Sequence, residues 1–245
     1  MAYFDQSPFE LCCEWGMGGV TQLGRSEVVI IVDVLSFTTA VDIALSRGAV
    51  ILPYPAKDDG AVEYARERNA ELAGPRDRTS KRHSLSPASL LDAAKGLRLV
   101  LPSPNGSNLA AAAMKSGATV LAGCLRNARA VADRARRTGG RVTVVPAGEK
   151  WQDGTLRPAA EDLVGAGAIL KSLSGRLSPE AQLATAAFDG LKGDLREALL
   201  GCSSGRELVQ RGFGRDVELA AELDVSTTAP ALNGDEFRDC RDHSW

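Results

Sequence analysis

The sequence predicts an α/β fold: a three-layer α/β/α arrangement on a largely parallel sheet, with a helical C-terminal part. Three observations carry this. Short β-branched runs alternate with alanine-rich stretches of helical period as far as residue 174. The runs are apolar throughout rather than alternating, as strands covered by helices on both faces require. Two of the βα units also read alike.

The predicted strands are VVIIVD at 28–33, AVILP at 49–53, LRLVLP at 97–102, ATVLA at 118–122 and RVTVVP at 141–146. Between them, Ser86-Pro87 places a capping residue before a proline at the first helical position, and Gly48 and Gly117 stop the preceding helices. Beyond residue 174 the chain reads as short helices, SPEAQLATAAF, DLREALL, SGRELVQ and RDVELAAEL, separated by glycines. STTAPALN is expected to add an edge strand. No linker is long enough to divide the chain, so one domain is expected over residues 1–245.

The segments VDVLSFTTAVDIALSRGAVIL and LPSPNGSNLAAAAMKSGATVL share a plan of strand, turn, helix, glycine stop and strand. They align at a constant offset of 69, which sets Ser36 against Asn105, Thr38 against Ser107, Ala44 against Ala113 and Gly48 against Gly117. A duplication and two ordinary βα units are both consistent with so few identities. Either way the two turns occupy equivalent places.

In an open parallel sheet, ligands bind beyond the carboxyl ends of the strands, where helix N-termini present free N–H groups. The first turn offers Asp33, Ser36, Thr38 and Thr39 there, and the second offers Asn105, Gly106, Ser107 and Asn108. Small hydroxyl and amide residues beside a glycine let backbone donors approach an anion, and phosphate is the natural guest. A carboxylate in that place repels phosphate unless a cation lies between them; Mg²⁺ takes one or two carboxylates together with substrate oxygens and water. A second acidic source, Glu161 and Asp162, opens a helix after VVPAGEK, and neighbouring helical residues point about 100° apart. One of the pair is expected to face the site and the other to support it. Taken alone, Asp33 also suits a helix cap, and the Glu161/Asp162 pair suits a solvated helix start.

Composition narrows the chemistry. With 44% hydrophobic residues, 24% charged residues and a net charge of −2, nothing draws the 245-residue chain to nucleic acid or acidic membranes. No apolar run approaches the roughly 20 residues of a membrane span. The N-terminal MAYFDQSPFE does not read as a secretory signal, and a cytoplasmic location is expected. Five cysteines, two of them adjacent, do not suggest a disulfide framework. Two histidines, His83 and His243, leave little for a zinc site or a histidine-centred triad. The expected partner is a small anionic molecule; a homodimer suits the size, though no sequence feature demonstrates one.

Other motifs are set aside. Gly201-Cys202-Ser203-Ser204-Gly205 matches a nucleophile elbow only in letters, because it follows a helical stretch rather than a strand. Arg206 beyond it reads as an exposed helical arginine. Gly16, Gly18 and Gly19 lack a preceding βα context, and no phosphate-binding loop of the Walker type occurs. Arg126, Arg129, Arg134, Arg136 and Arg137, without interleaved aromatics, read as a solvated helix face.

Over residues 28 to 225 the segments VDVLSFTTAV, LPSPNGSNLA, AGCLRNARAVA, GEK with AAEDLVGAGAI, and SSGRELVQRGFGRDVELAAELD resemble successive motifs of the 2-phosphosulfolactate phosphatase family. The resemblance implies Mg²⁺-dependent hydrolysis of 2-phospho-3-sulfolactate to sulfolactate and phosphate, a step in coenzyme M biosynthesis. It assigns site roles to Asp33, Asn105, Gly106, Glu161 and Asp162. Family members usually have arginine where Ser36 stands, a Gly-Glu pair where Gly74-Pro75 stands, and Asn-Ser-Pro in place of Leu85-Ser86-Pro87. An arginine is a bidentate anion contact. The basic run at 76–83, with Arg76, Arg78, Lys81 and Arg82, offers a replacement as a lid over the site; a solvated loop suits it equally. A phosphomonoesterase is therefore expected, acting on phosphosulfolactate or another small anionic phosphate ester, with either water or Asp33 as nucleophile. A non-catalytic anion-binding protein is the remaining alternative.

Overall fold

A computed structural model describes residues 3–23, 25–55, 58, 60–80 and 82–241. Lys81 and His243 lie outside the described residues. In chain order the elements are β1 Leu11–Cys13, α1 Gly16–Thr21, β2 Val28–Val32, α2 Phe37–Ser46, β3 Val50–Tyr54, α3 Gly60–Glu67 and β4 Glu71–Leu72. A 3₁₀ turn at Pro87–Leu90 leads to β5 Arg98–Pro102, α4 Gly106–Met114 and β6 Thr119–Gly123. A second at Leu125–Asn127 leads to α5 Ala128–Thr138, β7 Val142–Pro146, β8 Glu149–Lys150 and β9 Leu156–Arg157. Then come α6 Ala160–Lys171, α7 Pro179–Leu191, α8 Leu195–Gly201, α9 Ser203–Gln210, α10 Gly214–Ala220, β10 Pro230–Asn233 and β11 Glu236–Asp239.

The main sheet runs in the order β1-β7-β2-β6-β10-β11-β3-β5-β4. All five predicted strands are present and lie within two parallel sets, β1, β7, β2, β6 and β3, β5, β4. Strand β2 shows why its sequence is apolar at every position. Side chains alternate across a strand, so Val28, Ile30 and Val32 pack against α5, α6 and the C-terminal helices, while Val29 and Ile31 pack against α2 and α4. Both faces are covered, giving three layers.

One expectation fails. STTAPALN does not form an edge: β10 lies mid-sheet, antiparallel to β6 on one side and to β11 on the other, and β11 in turn pairs with β3. The hairpin thus joins the two parallel sets. Its charges are tolerated there because Glu236 is paired with both Arg98 and Arg238, while Phe237 is fully buried against Phe37, with ring centroids 6.1 Å apart.

The two similar units are arranged reciprocally. One runs from β2 in the first set through α2 to β3 in the second; the other returns from β5 through α4 to β6. Helices α2 and α4 share one apolar cluster, so the turns that begin them meet. Gly48 and Gly117 follow these helices with φ of +81° and +77°, where a side chain would be strained.

Arg126 departs from the solvated face predicted for its arginines. It is mostly covered and lies beside the wholly buried Asp42, with Nε donating to that carboxylate at 3.0 Å, and it also meets Glu222. Ser226 Oγ donates to the same Asp42 at 2.6 Å, tying the C-terminal segment to α2. Arg129, Arg136 and Arg137 are exposed as expected.

Candidate active site

Asp33 follows β2 and opens the turn into α2. Thr38 locks this turn: its Oγ1 donates to the Asp33 carbonyl at 2.8 Å and accepts from the Asp33 N–H at 3.0 Å. Thr39 Oγ1 donates to the Val34 carbonyl at 2.8 Å. In the second turn Ser107 Oγ donates to the Leu101 carbonyl at 3.3 Å. All three hydroxyls are fully buried against backbone. Expected as phosphate contacts, Thr38, Thr39 and Ser107 instead use their hydroxyls to shape the turns, because a polar group this deep needs its partner locally.

The paired helix starts hold an anion, and that anion is Asp33. Its Oδ1 accepts the Phe37 N–H at 3.1 Å and its Oδ2 accepts the Gly106 N–H at 3.0 Å. Phe37 and Gly106 are the first residues of α2 and α4 and stand at the same 69-residue offset as the rest of the repeat. One carboxylate thus bridges two equivalent helix N-termini. Gly106 is required by this approach: a Cβ there would stand 2.3 Å from the Phe37 ring and 2.9 Å from Asp33 Oδ2. Burial pushes the Asp33 carboxyl up, the two N–H bonds pull it down, and the Glu161 charge adds to the rise.

The Glu161/Asp162 pair divides its work. Asp162 Oδ1 accepts the Val34 N–H at 2.7 Å and Oδ2 the Gly148 N–H at 2.8 Å, which joins the turns after β2 and β7. Burial and the neighbouring charges of Asp33 and Glu161 hold its carboxyl well above the usual range. Glu161 is equally buried, but its Oε2 has no hydrogen-bond partner.

Glu149, in the GEK segment but not singled out by the sequence reading, is a fourth carboxylate. Its Oε2 accepts from Asn105 Nδ2 at 2.9 Å. Burial first, then the Asp33 charge, push it up to about 7. Its place three residues beyond the end of parallel strand β7 was the available signal. Among the described residues, no three His, Cys, Asp or Glu side chains gather as ligands of one ion.

A cavity of about 190 Å³ opens over these groups, lined by Asp33, Ser36, Asn105, Glu149, Ser204 and Arg76 among others. Thus Asp33, Ser36 and Asn105 reach it as predicted, while Glu161 and Asp162 lie against it without lining it. Among the described cations of the basic run, Arg76 alone turns in. Its Nη2 donates to Ser36 Oγ and, at 3.2 Å, to the Leu85 carbonyl. The segment is not a free lid: Gly74 N–H donates to the His83 carbonyl at 2.8 Å, and His83 Nδ1 lies 2.8 Å from the Ser89 carbonyl. Arg78 and Arg82 are exposed, as is Arg206. Ser204, Glu207 and Arg211 come from the helical C-terminal part, in the SSGRELVQRGF segment that resembles a family motif but to which that resemblance assigns no site role.

The family model for 2-phosphosulpholactate phosphatase matches residues 20–235. The chain belongs to the 2-phosphosulfolactate phosphatase family. Relatives span nearly their whole length against it. A probable 2-phosphosulfolactate phosphatase of Carboxydothermus hydrogenoformans is 30% identical over 84% of this chain and 86% of its own. A 2-phosphosulfolactate phosphatase of Methanothermobacter thermautotrophicus is 30% identical with the same coverage, and a probable one of Gloeobacter violaceus is 30% identical over 84% of this chain and 89% of its own. As a family member the protein is a phosphatase, a phosphoric monoester hydrolase. The matched span contains Asp33, Arg76, Asn105, Glu149, Glu161 and Asp162.

Proposed function

We propose that this phosphatase hydrolyses a small anionic phosphate ester, with 2-phospho-3-sulfolactate as the first candidate because its relatives carry that name. The observation that carries the reading is a single cavity at the strand ends lined by Asp33, Glu149 and Arg76, with the buried Glu161 close enough for its charge to act on both of those carboxyls. Buried like charges crowded together call for a cation. An all-oxygen donor set with the orphaned Glu161 Oε2 fits Mg²⁺, which needs only one or two carboxylates. Asp33 and Glu161 would hold it, and Asp162 would support them through the two backbone N–H groups it binds. When bound, Mg²⁺ supplies charge to polarise the phosphoryl oxygens.

The chain's own groups account for the rest. Arg76 offers a fixed guanidinium to an anionic oxygen. Glu149, anchored through Oε2 by Asn105, keeps Oε1 for a proton and titrates near neutrality, which suits a general acid or base. Hydrolysis breaks the bond from phosphorus to the ester oxygen and forms one from phosphorus to the attacking oxygen. A proton passes to the departing alkoxide, and Glu149 is placed to give it. Water is the attacking group in the simplest form. An Asp33 nucleophile would have to attack through an oxygen that already accepts the N–H of one helix start. The expected location is cytoplasmic, and the product would be the sulfolactate of coenzyme M biosynthesis.

The test is phosphate release from 2-phospho-3-sulfolactate and a panel of small esters, with and without Mg²⁺. Release that requires Mg²⁺ and disappears in Asp33→Asn is the expected result; full activity in Asp33→Asn would sink the assignment.

A further inference from the structure

A second cavity of about 450 Å³ adjoins the first, with Leu72, Ala73, Pro75, Leu85 and Pro102 in its wall. Arg76, Leu85 and Arg211 line both. The smaller chamber is therefore polar and acidic, the larger has apolar walls with Asp58 beside them, and two arginines stand at their junction. A space of this size is in the usual range for burying an organic ligand, and well beyond what phosphate and a three-carbon acid occupy.

The junction is also where this chain departs from its family's pattern. Ser36 and Leu85 border the first cavity, and Pro75 and Leu85 the second. A cation, an acid and an amide in that pattern are here a small hydroxyl and two apolar side chains. Arg76 brings one cation back, held by Ser36 Oγ and the Leu85 carbonyl. It is not saturated: its buried Nε has no hydrogen-bond partner, and the nearest acidic oxygen, Asp216 Oδ2, lies 3.8 Å away and has none either. Asp216 is itself anchored by Ser86 Oγ at 2.6 Å and the Ala88 N–H at 3.0 Å, so it places Arg76 without closing on it. Arg76 itself lines both cavities, and a guanidinium in that place favours a ligand carboxylate.

We propose that the substrate is the phosphate monoester of a 2-hydroxy acid with an apolar side group. The phosphate occupies the Asp33 cavity, the carboxylate meets Arg76, and the apolar group fills the larger cavity. This rests on the phosphatase reading and replaces the sulfonate with an apolar group. It is tested by comparing kcat/KM for 2-phospho-3-phenyllactate, 2-phospholactate and 2-phospho-3-sulfolactate, and by titrating the wild-type protein with 3-phenyllactate or lactate in the presence of inorganic phosphate. A preference of at least tenfold for the phenyl compounds in rate and in Kd is expected, with Ala73→Phe, which fills the larger cavity, reducing it below threefold. Arg76→Gln is expected to raise KM for the carboxylated esters at least tenfold more than it does for propyl phosphate. Equal rates and equal Kd values for the phenyl and small compounds, or a sulfolactate preference, would overturn the proposal. Phenyl-selective binding without phosphate release would leave it standing and fault the hydrolytic reading instead.

Discussion

Asp33 was legible as the acid at the end of an apolar strand, but its function in the fold was not. An aspartate in that place reads as a cap for the helix that follows it; here it caps two helices at once, because the second start is delivered by residues 73 positions further on. Asp33→Asn offers an NH₂ where one backbone N–H needs an acceptor. Loss of phosphate release by at least about 100-fold, with a stability loss of about 1–3 kcal/mol in chemical denaturation, is expected. Glu149 gives a pH signature. Its folded carboxyl titrates at about 7 against an ordinary value of 4.5, so the metal-free folded state binds the extra proton. That contribution to stability is complete below about pH 4.5 and is lost as pH rises through 7, at most on the order of 3 kcal/mol. Metal-free protein should therefore melt higher at pH 5.5 than at pH 8, and Glu149→Gln should flatten the difference in a calorimetric pH series.

At the scale of elements, the repeat detected by offset is a pair of helix starts built to share one carboxylate. Its closest point is Gly106. Gly106→Ala must push the Phe37 ring or the Asp33 carboxylate aside, and the ring is fully buried. A cost of about 1–3 kcal/mol is expected from overpacking, with activity falling alongside, read by thermal melting and phosphate release. The hydroxyls of Thr38, Thr39 and Ser107 could be placed at these turns from sequence but not oriented. Whether such a hydroxyl faces a ligand or its own backbone depends on how deeply the turn is buried, and α2 is buried over nearly its whole length. The acidic helix start of α6 followed the same rule: spacing showed that its two acids diverge, and only the surroundings assigned Asp162 to backbone N–H groups and left Glu161 Oε2 open.

Over the whole molecule, the two parallel sets are held together by a C-terminal hairpin and by the buried Arg126–Asp42 pair beneath it. Removing one partner of a buried pair leaves an uncompensated charge. Arg126→Ala should cost about 3–5 kcal/mol in denaturant unfolding. The double variant Arg126→Met with Asp42→Asn should cost clearly less, which separates the stranded charge from lost packing. The hairpin's central position was missed because its second strand, EFRD, is three-quarters charged. The Asn233-Gly234 pair before it was the turn signal available.

By itself the sequence determined the strands, the parallel sheet, the equivalence of the two turns, the family and the strand-end aspartate, because apolar period, glycine stops and constant spacing are local properties. Tertiary structure alone decided which groups meet. It set Asp33 between two helix starts, brought Glu149 to the same cavity, and turned Arg76 from an apparently solvated loop onto Ser36. Those contacts join residues 40 or more positions apart. Their energies come from burial and charge pairing, which one-dimensional spacing does not contain.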